Sequence, residues 1–267
     1  MKNFIFIIVI MFLVSSCQTT QSVDGKFIDV QFYSNCYVPK NSITQIKENG
    51  KEFRRFILKN GQKGGCPSDR KIRHAAPYWE RTELRQSVYL HKGSVYEIKF
   101  KVRFVEGFNG SRENFFQIHQ YNKGCPRGPL IMLKFSSGTM YGLWTLKISE
   151  VLGKWMDFNI ILDLINGSYT VKIDDKKFLE NAGLRYNFKG CGRPHIKFGI
   201  YRPGDDKKPN NTSIADFSKF QIRKVKTEND PYNLKSIPDS LICYRFGTEN
   251  GKYIKEAEKR NLNCKTN

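Results

Sequence analysis

The chain has 267 residues and a formal net charge of +20, a length that allows one large β domain or two small domains. Hydrophobic residues make up 39% and aromatic residues 13%, which is enough for a packed core and excludes wholesale disorder. A positive excess of this size predicts an anionic partner, such as nucleic acid, a membrane surface or an acidic polymer.

The first residues are typical of an export signal. Lys2 precedes an apolar run, residues 4–14, that is shorter than the roughly 20 residues needed to span a bilayer. The sequence VSSC that ends at Cys17 resembles a bacterial lipobox, in which the cysteine is lipidated after cleavage. Gln18 follows in place of Asp, which by that resemblance favours the outer membrane. We expect an exported, outer-membrane lipoprotein, facing the periplasm or the cell surface. The alternative is an ordinary signal peptide that happens to end in Cys.

Export argues against nucleic acid as the partner and permits disulfide bonds. Six cysteines follow the lipidation site, which allows up to three disulfides and 15 connectivities. No C-x-x-C pair is present, so zinc binding is weakly supported. We predict only the pair Cys243–Cys264, because these two residues bracket the C-terminal tail. The pairing of the others is left open: Cys36, Cys66, Cys125 and Cys191.

The sequence predicts a succession of β-strands through the body of the chain. Residues 95–104 alternate cleanly between apolar and charged side chains, which is the pattern of a half-buried antiparallel strand. Asn166-Gly167 separates two such runs and predicts a hairpin turn. No long segment before residue 250 has helical periodicity. Further strands are predicted at residues 27–32, 53–58, 130–135, 155–164, 169–173, 195–201 and 214–222.

So many antiparallel strands in about 200 residues predict an all-β fold, a two-sheet sandwich or jelly roll. We expect four segments. They are a signal peptide (1–16), a lipidated tether (17–26), a jelly-roll domain (27–227), and a linker with a cysteine-bracketed tail (228–267). Residues 251–262 of the tail predict one short helix.

Three short strands place unusual side chains on one face. In the first, alternation sends Arg81, Glu83 and Arg85 to the same side. In the second, Gln117 and His119 share a face while the residues between and before them are apolar. In the third, Lys197 and Tyr201 share a face across Gly199, which leaves a gap where a ligand can approach the sheet. Each strand alone is more often just a solvated face, so the prediction rests on their combination.

These residue types suit removal of a proton beside a carboxylate. In a uronic acid residue the carboxylate opposes formation of a carbanion at C5. An arginine and an amide donor neutralise that carboxylate and stabilise the enolate-like intermediate. A histidine is the natural base near neutral pH, and a phenol can return a proton to the departing O4 oxygen. The glycosidic bond then breaks without water, and no metal is required.

The same segments resemble motifs of the β-jelly-roll polysaccharide lyases. Residues 81–85 (RTELR), 117–119 (QIH) and 197–201 (KFGIY) occur in the order seen in alginate lyases of this fold. The third segment, with Arg202 after it, looks closer to heparin lyase I and glucuronan lyase. Residues 153–158 (GKWMDF) also resemble a strand of those enzymes. The resemblance covers about residues 50–225.

The resemblance implies a role for each matched position. His119 would be the base and Tyr201 the acid, while Arg81 and Gln117 hold the carboxylate and Lys197 assists. Glu83 and Arg85 would orient Arg81 or bind neighbouring sugars, and Arg202 would join the substrate-binding residues. Alginate lyases usually carry Gln two residues after the tyrosine, and Pro203 stands there in this chain. That departure favours a heparin-type or glucuronan-type substrate over alginate.

Other classes of function remain open at this stage. A carbohydrate-binding module or a structural envelope protein would keep the basic face without needing His119 and Tyr201 together. A glycoside hydrolase would need two neighbouring carboxylic acids, and no E-x-D-x-x-E motif is present.

His195 lies outside the matched motifs and is expected to be structural or at the surface. No cofactor is expected; adjacent Asp205 and Asp206 are a poor ligand set for calcium. We expect a monomer acting on an anionic polysaccharide, with the uronate, sulfation and endo or exo action undetermined.

Overall fold

A computed structural model describes residues 25–34, 36–70, 76–87, 89–108, 110–120, 128–142, 146–185, 193–207, 211–226, 243, 257–258 and 260–262. The predicted lipidation site Cys17 and signal peptide lie outside these residues. So do Cys264 and most of the predicted tail helix. Cys243 is disulfide-bonded, and its predicted pairing with Cys264 stays a prediction.

The described chain is almost entirely β-strand, as the sequence predicts. One 3₁₀ turn spans Pro67–Arg70 and one short helix, α1, spans Ile148–Val151. No helix of the described residues is long and apolar enough to cross a membrane. The strands are β1 (Ile28–Asp29), β2 (Phe32–Tyr33), β3 (Ile43–Glu48), β4 (Lys51–Leu58), β5 (Tyr78–Gln86), β6 (Val95–Phe104), β7 (Asn114–Gln120), β8 (Gly128–Ser136), β9 (Thr139–Met140), β10 (Trp155–Asp163), β11 (Ser168–Ile173), β12 (Lys176–Gly183), β13 (His195–Gly204), β14 (Ser213–Phe217) and β15 (Gln221–Lys226).

The strands form two antiparallel sheets. The larger has nine strands, in the order β12-β11-β10-β6-β14-β4-β3, with β15 paired to β6 and to β1. The smaller has six strands, in the order β2-β5-β13-β7-β8-β9. The all-β sandwich is therefore confirmed. The central strands of the smaller sheet are the three that carry the matched motifs.

Two predicted strands are each split in the structure. The run 27–32 becomes β1 in the nine-stranded sheet and β2 in the six-stranded sheet, so the chain changes sheets between them. The run 214–222 becomes β14 and β15, which pair with different parts of β6. The Asn166-Gly167 turn is confirmed: it joins β10 to β11, and Gly167 has the positive φ of 75° that such a turn requires.

The core between the sheets is rich in phenylalanine. The ring of Phe198, on β13, lies 4.3 Å from Phe220, 5.1 Å from Phe217 and 5.2 Å from Phe56 between ring centres. All four side chains are fully buried. Because these rings fix the inward side of β13, alternation fixes which of its residues face outward.

A disulfide ties the N-terminal segment to the 3₁₀ turn. Cys36 pairs with Cys66 at a sequence separation of 30, with their Cα atoms 5.0 Å apart. The sequence left this pairing open. The bond holds the turn Pro67–Arg70 next to β5, where Arg81 lies.

Candidate active site

The matched side chains converge on the face of the six-stranded sheet that is turned away from the nine-stranded sheet. We call this the site face. Cross-strand pairing arranges its residues in rows from β5 through β13 to β7. The rows are Arg81–Tyr201, Glu83–Gly199, Arg85–Lys197–Gln117 and His195–His119. The predicted grouping on one face therefore holds in the structure.

Glu83 is the centre of this arrangement, and together with Arg81, Gln117 and Lys197 it forms what we call the Glu83 cluster. Its carboxylate accepts a hydrogen bond from Gln117 Nε2 at 2.6 Å and ion pairs with Lys197 Nζ at 2.8 Å. Arg81 Nη1 donates to the same carboxylate at 2.7 Å. Burial alone would raise the pKa of Glu83, but the Lys197 and Arg81 charges outweigh it and hold that pKa below its ordinary value. Glu83 therefore stays ionised and holds three donors in fixed positions.

Asp69 supports Arg81 from outside the sheet. Arg81 Nη2 donates to Asp69 Oδ1 at 2.7 Å, and the Asp69 side chain is fully buried. Asp69 sits on the 3₁₀ turn that the Cys36–Cys66 bond secures. Sequence reasoning missed it, because a turn residue 12 positions before Arg81 carries no strand pattern.

His119 is largely buried beside these charges. Its burial, and then the nearby charges of Lys197 and Arg81, lower its pKa to about 4, with Glu83 acting in the opposite direction. The imidazole is therefore neutral at pH 7 and able to accept a proton. Its ring centre lies 5.6 Å from that of His195, its partner in the same row. His195, expected to be structural or at the surface, is buried on the site face.

Tyr201 occupies the opposite end of the site face from His119. Its ring stacks on Trp79 with centres 4.9 Å apart, and the Arg81 guanidinium lies 4.2 Å from its centre. Tyr201 pairs with Asn114, five residues from His119 on β7, which is about 16 Å along the strand. The backbone positions of the two residues are thus far apart along the strands, but both side chains lie near Arg81, whose guanidinium is against the Tyr201 ring and whose charge helps to lower the pKa of His119.

Three donors on the outward side of β5 are buried without a hydrogen-bond acceptor among the described residues. They are Trp79 Nε1, Arg81 Nε and Arg85 Nε. A buried N–H without an acceptor costs about 1–3 kcal/mol. A ligand rich in oxygen atoms, such as an acidic sugar, would satisfy these donors.

Arg202 corrects one sequence prediction. The resemblance places it among the substrate-binding residues, but only 1% of its side chain is exposed. It points into the sandwich, where it ion pairs with Glu80 and Glu113 and donates to Ser213 Oγ at 2.8 Å. Since Tyr201 faces outward, alternation turns Arg202 inward, and it has no path to a substrate.

Gly199 allows β13 to lie close to β5. Its φ of 131° belongs to a bulge, after which Tyr201 pairs with Asn114. A Cβ at this position would lie 2.2 Å from the carbonyl oxygen of Thr82. The glycine therefore permits close contact between β13 and β5, and its predicted gap for a ligand stays a prediction.

The remaining expectations concern metals and Arg85. Among the residues that the structure describes, no three His, Cys, Asp or Glu side chains are grouped as a metal site would require. Asp206, considered for calcium, accepts a hydrogen bond from the Tyr78 hydroxyl at 2.9 Å.

Arg85 lies on the site face, donates to the Tyr89 hydroxyl and is half-buried.

Comparison with solved structures identifies the fold. A substrate-bound family 7 alginate lyase superposes with a TM-score of 0.51 at 13% identity, over 72% of this chain and 85% of its own. An endo-β-1,4-glucuronan lyase from the fungus Trichoderma reesei superposes with a TM-score of 0.54 at 11% identity, over 78% of this chain and 98% of its own. The chain therefore shares the jelly-roll fold of these two solved lyases. No protein-family model and no curated protein sequence matches the chain.

Proposed function

We propose that this protein is a polysaccharide lyase that cleaves a uronate-containing polysaccharide by β-elimination. The observation that carries the proposal is the site face itself. It brings a neutral imidazole, a phenol and a set of oriented cationic and amide donors together on one side of one sheet. The fold shared with alginate and glucuronan lyases supports the same class of reaction.

The proposed reaction needs only groups of this chain. His119 takes the C5 proton of the uronate, and the electron pair forms the C4–C5 double bond as the C4–O4 bond breaks. Tyr201 gives its proton to the departing O4 oxygen, and the proton held by His119 returns to the phenolate through solvent. The products are a new chain end with a free hydroxyl and an unsaturated uronate.

The uronate carboxylate becomes enolate-like as the proton leaves, and N–H donors stabilise that charge. Arg81 is the main candidate, because its Nε is buried without an acceptor while Asp69 and Glu83 hold its other nitrogens. Gln117 contributes an amide that Glu83 holds at 2.6 Å. Glu83 thus orients donors rather than acting as the base.

A polymer of β-linked glucuronate is the substrate class that we favour. Pro203 stands where alginate lyases usually carry Gln. The superposition on the glucuronan lyase also includes 98% of that enzyme's chain. Heparin-type chains remain within the proposal through the resemblance of residues 197–202. Alginate is the less favoured polymer.

A panel of polyuronates tests the activity directly. Purified protein is incubated with glucuronan, heparin, heparan sulfate, alginate and pectate, and formation of the unsaturated uronate is followed by ultraviolet absorbance. We expect absorbance to rise with at least one polymer. Binding without any rise in absorbance would instead favour a carbohydrate-binding envelope protein.

The roles of His119 and Tyr201 are tested with near-isosteric variants. His119→Asn and Tyr201→Phe should each lower kcat by about 10²-fold or more, since each removes a proton-transfer group. Tyr37→Phe is the matched control, because Tyr37 is 73% exposed and belongs to none of the three strands that carry the site residues. Near-native rates in both site variants would refute the assignment.

We also propose that the mature protein is anchored to the outer membrane through a lipid on Cys17. The Cys36–Cys66 disulfide supports an oxidising compartment outside the cytosol. Cys17→Ser should abolish incorporation of labelled fatty acid and release the protein from the membrane fraction. Continued fractionation with membranes would count against the anchor.

A further inference from the structure

A second group of side chains lies beside the His119 end of the site face. It consists of Tyr33, Arg85, Tyr89 and Arg193, which we call the Tyr89 cluster. None of these residues except Arg85 belongs to the motifs that the sequence matched. Tyr33 comes from β2, Arg85 from β5, Tyr89 from the segment after β5, and Arg193 from the segment before β13.

One aromatic ring holds two guanidinium groups together. The guanidinium of Arg85 lies 5.0 Å from the ring centre of Tyr89, and that of Arg193 lies 5.5 Å from it. Arg85 also donates to the Tyr89 hydroxyl and lies 6.0 Å from the ring of Tyr33, which is 43% exposed. Because a guanidinium is attracted to the face of an aromatic ring, the Tyr89 ring offsets part of the repulsion between the two arginines.

No carboxylate of the described residues balances these two charges. The Glu83 cluster differs, because Arg81 and Lys197 are matched there by Asp69 and Glu83. Arg85 and Arg193 form no ion pair within the described ranges, and Arg85 Nε is buried without an acceptor there. Since arginine is always charged, the Tyr89 cluster holds about two unneutralised positive charges at the site face.

The position of the cluster relates it to the reacting sugar. Arg85 pairs across the sheet with Lys197, and Lys197 pairs with Gln117. The Tyr89 ring contacts His195 edge to face at 5.6 Å, and His195 is the row partner of His119. A sugar chain that crosses the strands past His119 would therefore place its next residue against Tyr89.

We propose that the Tyr89 cluster is a subsite for the anionic group of the sugar adjacent to the one cleaved. Arg85 and Arg193 bind a carboxylate or a sulfate, and Tyr33 and Tyr89 provide aromatic surface for the sugar ring. The position of the subsite next to the cleaved sugar rests on the proposed function. Its binding of anions does not, because binding can be measured without turnover. It selects polymers in which neighbouring sugars both carry a charge.

The test compares Arg193→Gln with Arg54→Gln, an equal loss of charge on the nine-stranded sheet. Both changes are made in a His119→Asn background, and binding is measured by calorimetry with glucuronan, dextran sulfate and neutral dextran. We expect Arg193→Gln to weaken binding to the anionic polymers about tenfold or more, since it removes a charge-assisted hydrogen bond. Arg54→Gln should change binding less than threefold. A loss with glucuronan alone assigns the subsite to carboxylates, and a loss with both polymers assigns it to anions generally.

The outcomes separate this subsite from the lyase proposal. If no polyuronate is cleaved but Arg193→Gln still weakens binding selectively, the subsite stands and the lyase assignment fails. If cleavage occurs and Arg193→Gln raises KM about tenfold with kcat retained, both stand. Equal effects of Arg193→Gln and Arg54→Gln, or none from either, overturn the subsite. Tyr89→Leu gives a second reading, because loss of the ring should weaken binding as Arg193→Gln does.

Discussion

Neighbouring positions on β13 have opposite surroundings, although both match the same motif. Tyr201 is on the site face against Trp79 and Arg81, whereas Arg202 lies inside the sandwich between Glu80 and Glu113. A buried arginine with two carboxylate partners is a structural element, since removing it leaves the partners buried without a counter-charge. A motif alone does not distinguish these two roles, whereas strand alternation does.

Arg202→Met should therefore reduce stability rather than substrate affinity. We expect the free energy of unfolding to fall by about 3–5 kcal/mol, because Glu80 and Glu113 lose their shared cation. Denaturant unfolding measures this loss, and KM of the folded fraction should be unchanged. Arg81→Met is the matched comparison: it also leaves two buried carboxylates, Asp69 and Glu83, without their cation, but it should lower kcat as well as stability. A raised KM in Arg202→Met with native stability would restore the substrate-binding role.

The residue types on the site face were predictable because strand periodicity is simple. Alternation alone placed Arg81, Gln117, His119, Lys197 and Tyr201 on outward positions, and the structure joins their three strands side by side. The remaining site residues were not predictable. Asp69, Tyr89 and Arg193 lie in turns or connecting segments, whose position depends on tertiary contacts that no local pattern encodes.

At the scale of elements, the most regular strand was the easiest to predict. β6 spans Val95–Phe104, as its alternation indicates, because it is central and has one buried face. The edge strands β3 and β12 were missed. Their residues are mostly polar and exposed, since an edge strand packs little apolar surface and so carries a weak periodic signal.

The 3₁₀ turn Pro67–Arg70 links a disulfide to the site. It is joined to the N-terminal segment through Cys36–Cys66, and its Asp69 holds Arg81. The backbone at Gly64 packs directly against Asp69, because a Cβ on Gly64 would lie 2.2 Å from Asp69 Oδ2. The position of Arg81 therefore depends on an element outside the sheet.

Replacing both cysteines of this pair by serine should lower both stability and turnover. Loss of a disulfide that closes a loop of 30 residues is expected to cost about 3–4 kcal/mol. The freed turn should also release Asp69 and lower kcat more than it changes KM. Asp69→Asn, with the disulfide intact, should reproduce the fall in kcat with a smaller loss of stability. A double serine variant with native kcat would show that the turn does not position Arg81.

At the scale of the whole molecule, the site face concentrates charged and titratable side chains, and this lowers the free energy of unfolding. His119 lies near Lys197, Glu83 and Arg81, and His195 lies near Arg85, Lys197 and His119. Burial is the main cause that lowers their pKa values, to about 4 and about 3 from the ordinary 6.5. Both rings are therefore neutral in the folded protein at pH values where they would be charged in the unfolded chain.

This difference predicts acid sensitivity between about pH 6.5 and pH 4.5. A histidine whose folded pKa lies below its unfolded pKa takes up a proton on unfolding, so stability falls as the pH falls below 6.5. Each histidine contributes a slope of up to about 1.4 kcal/mol per pH unit. The lowered pKa of Glu83 adds its own loss only below about its ordinary value of 4.5, outside this window.

Denaturant unfolding of the wild type and of the His119→Asn, His195→Asn double variant measures the effect. The free energy of unfolding of the wild type should fall across the window, and that of the double variant should fall by less, because it lacks two of the protons taken up. Above pH 7 the two curves should run parallel, since neither histidine then titrates in either state. If the two curves also run parallel between pH 6.5 and pH 4.5, the imidazole of residue 119 is not held neutral by burial, and a base with an ordinary pKa must be assigned instead.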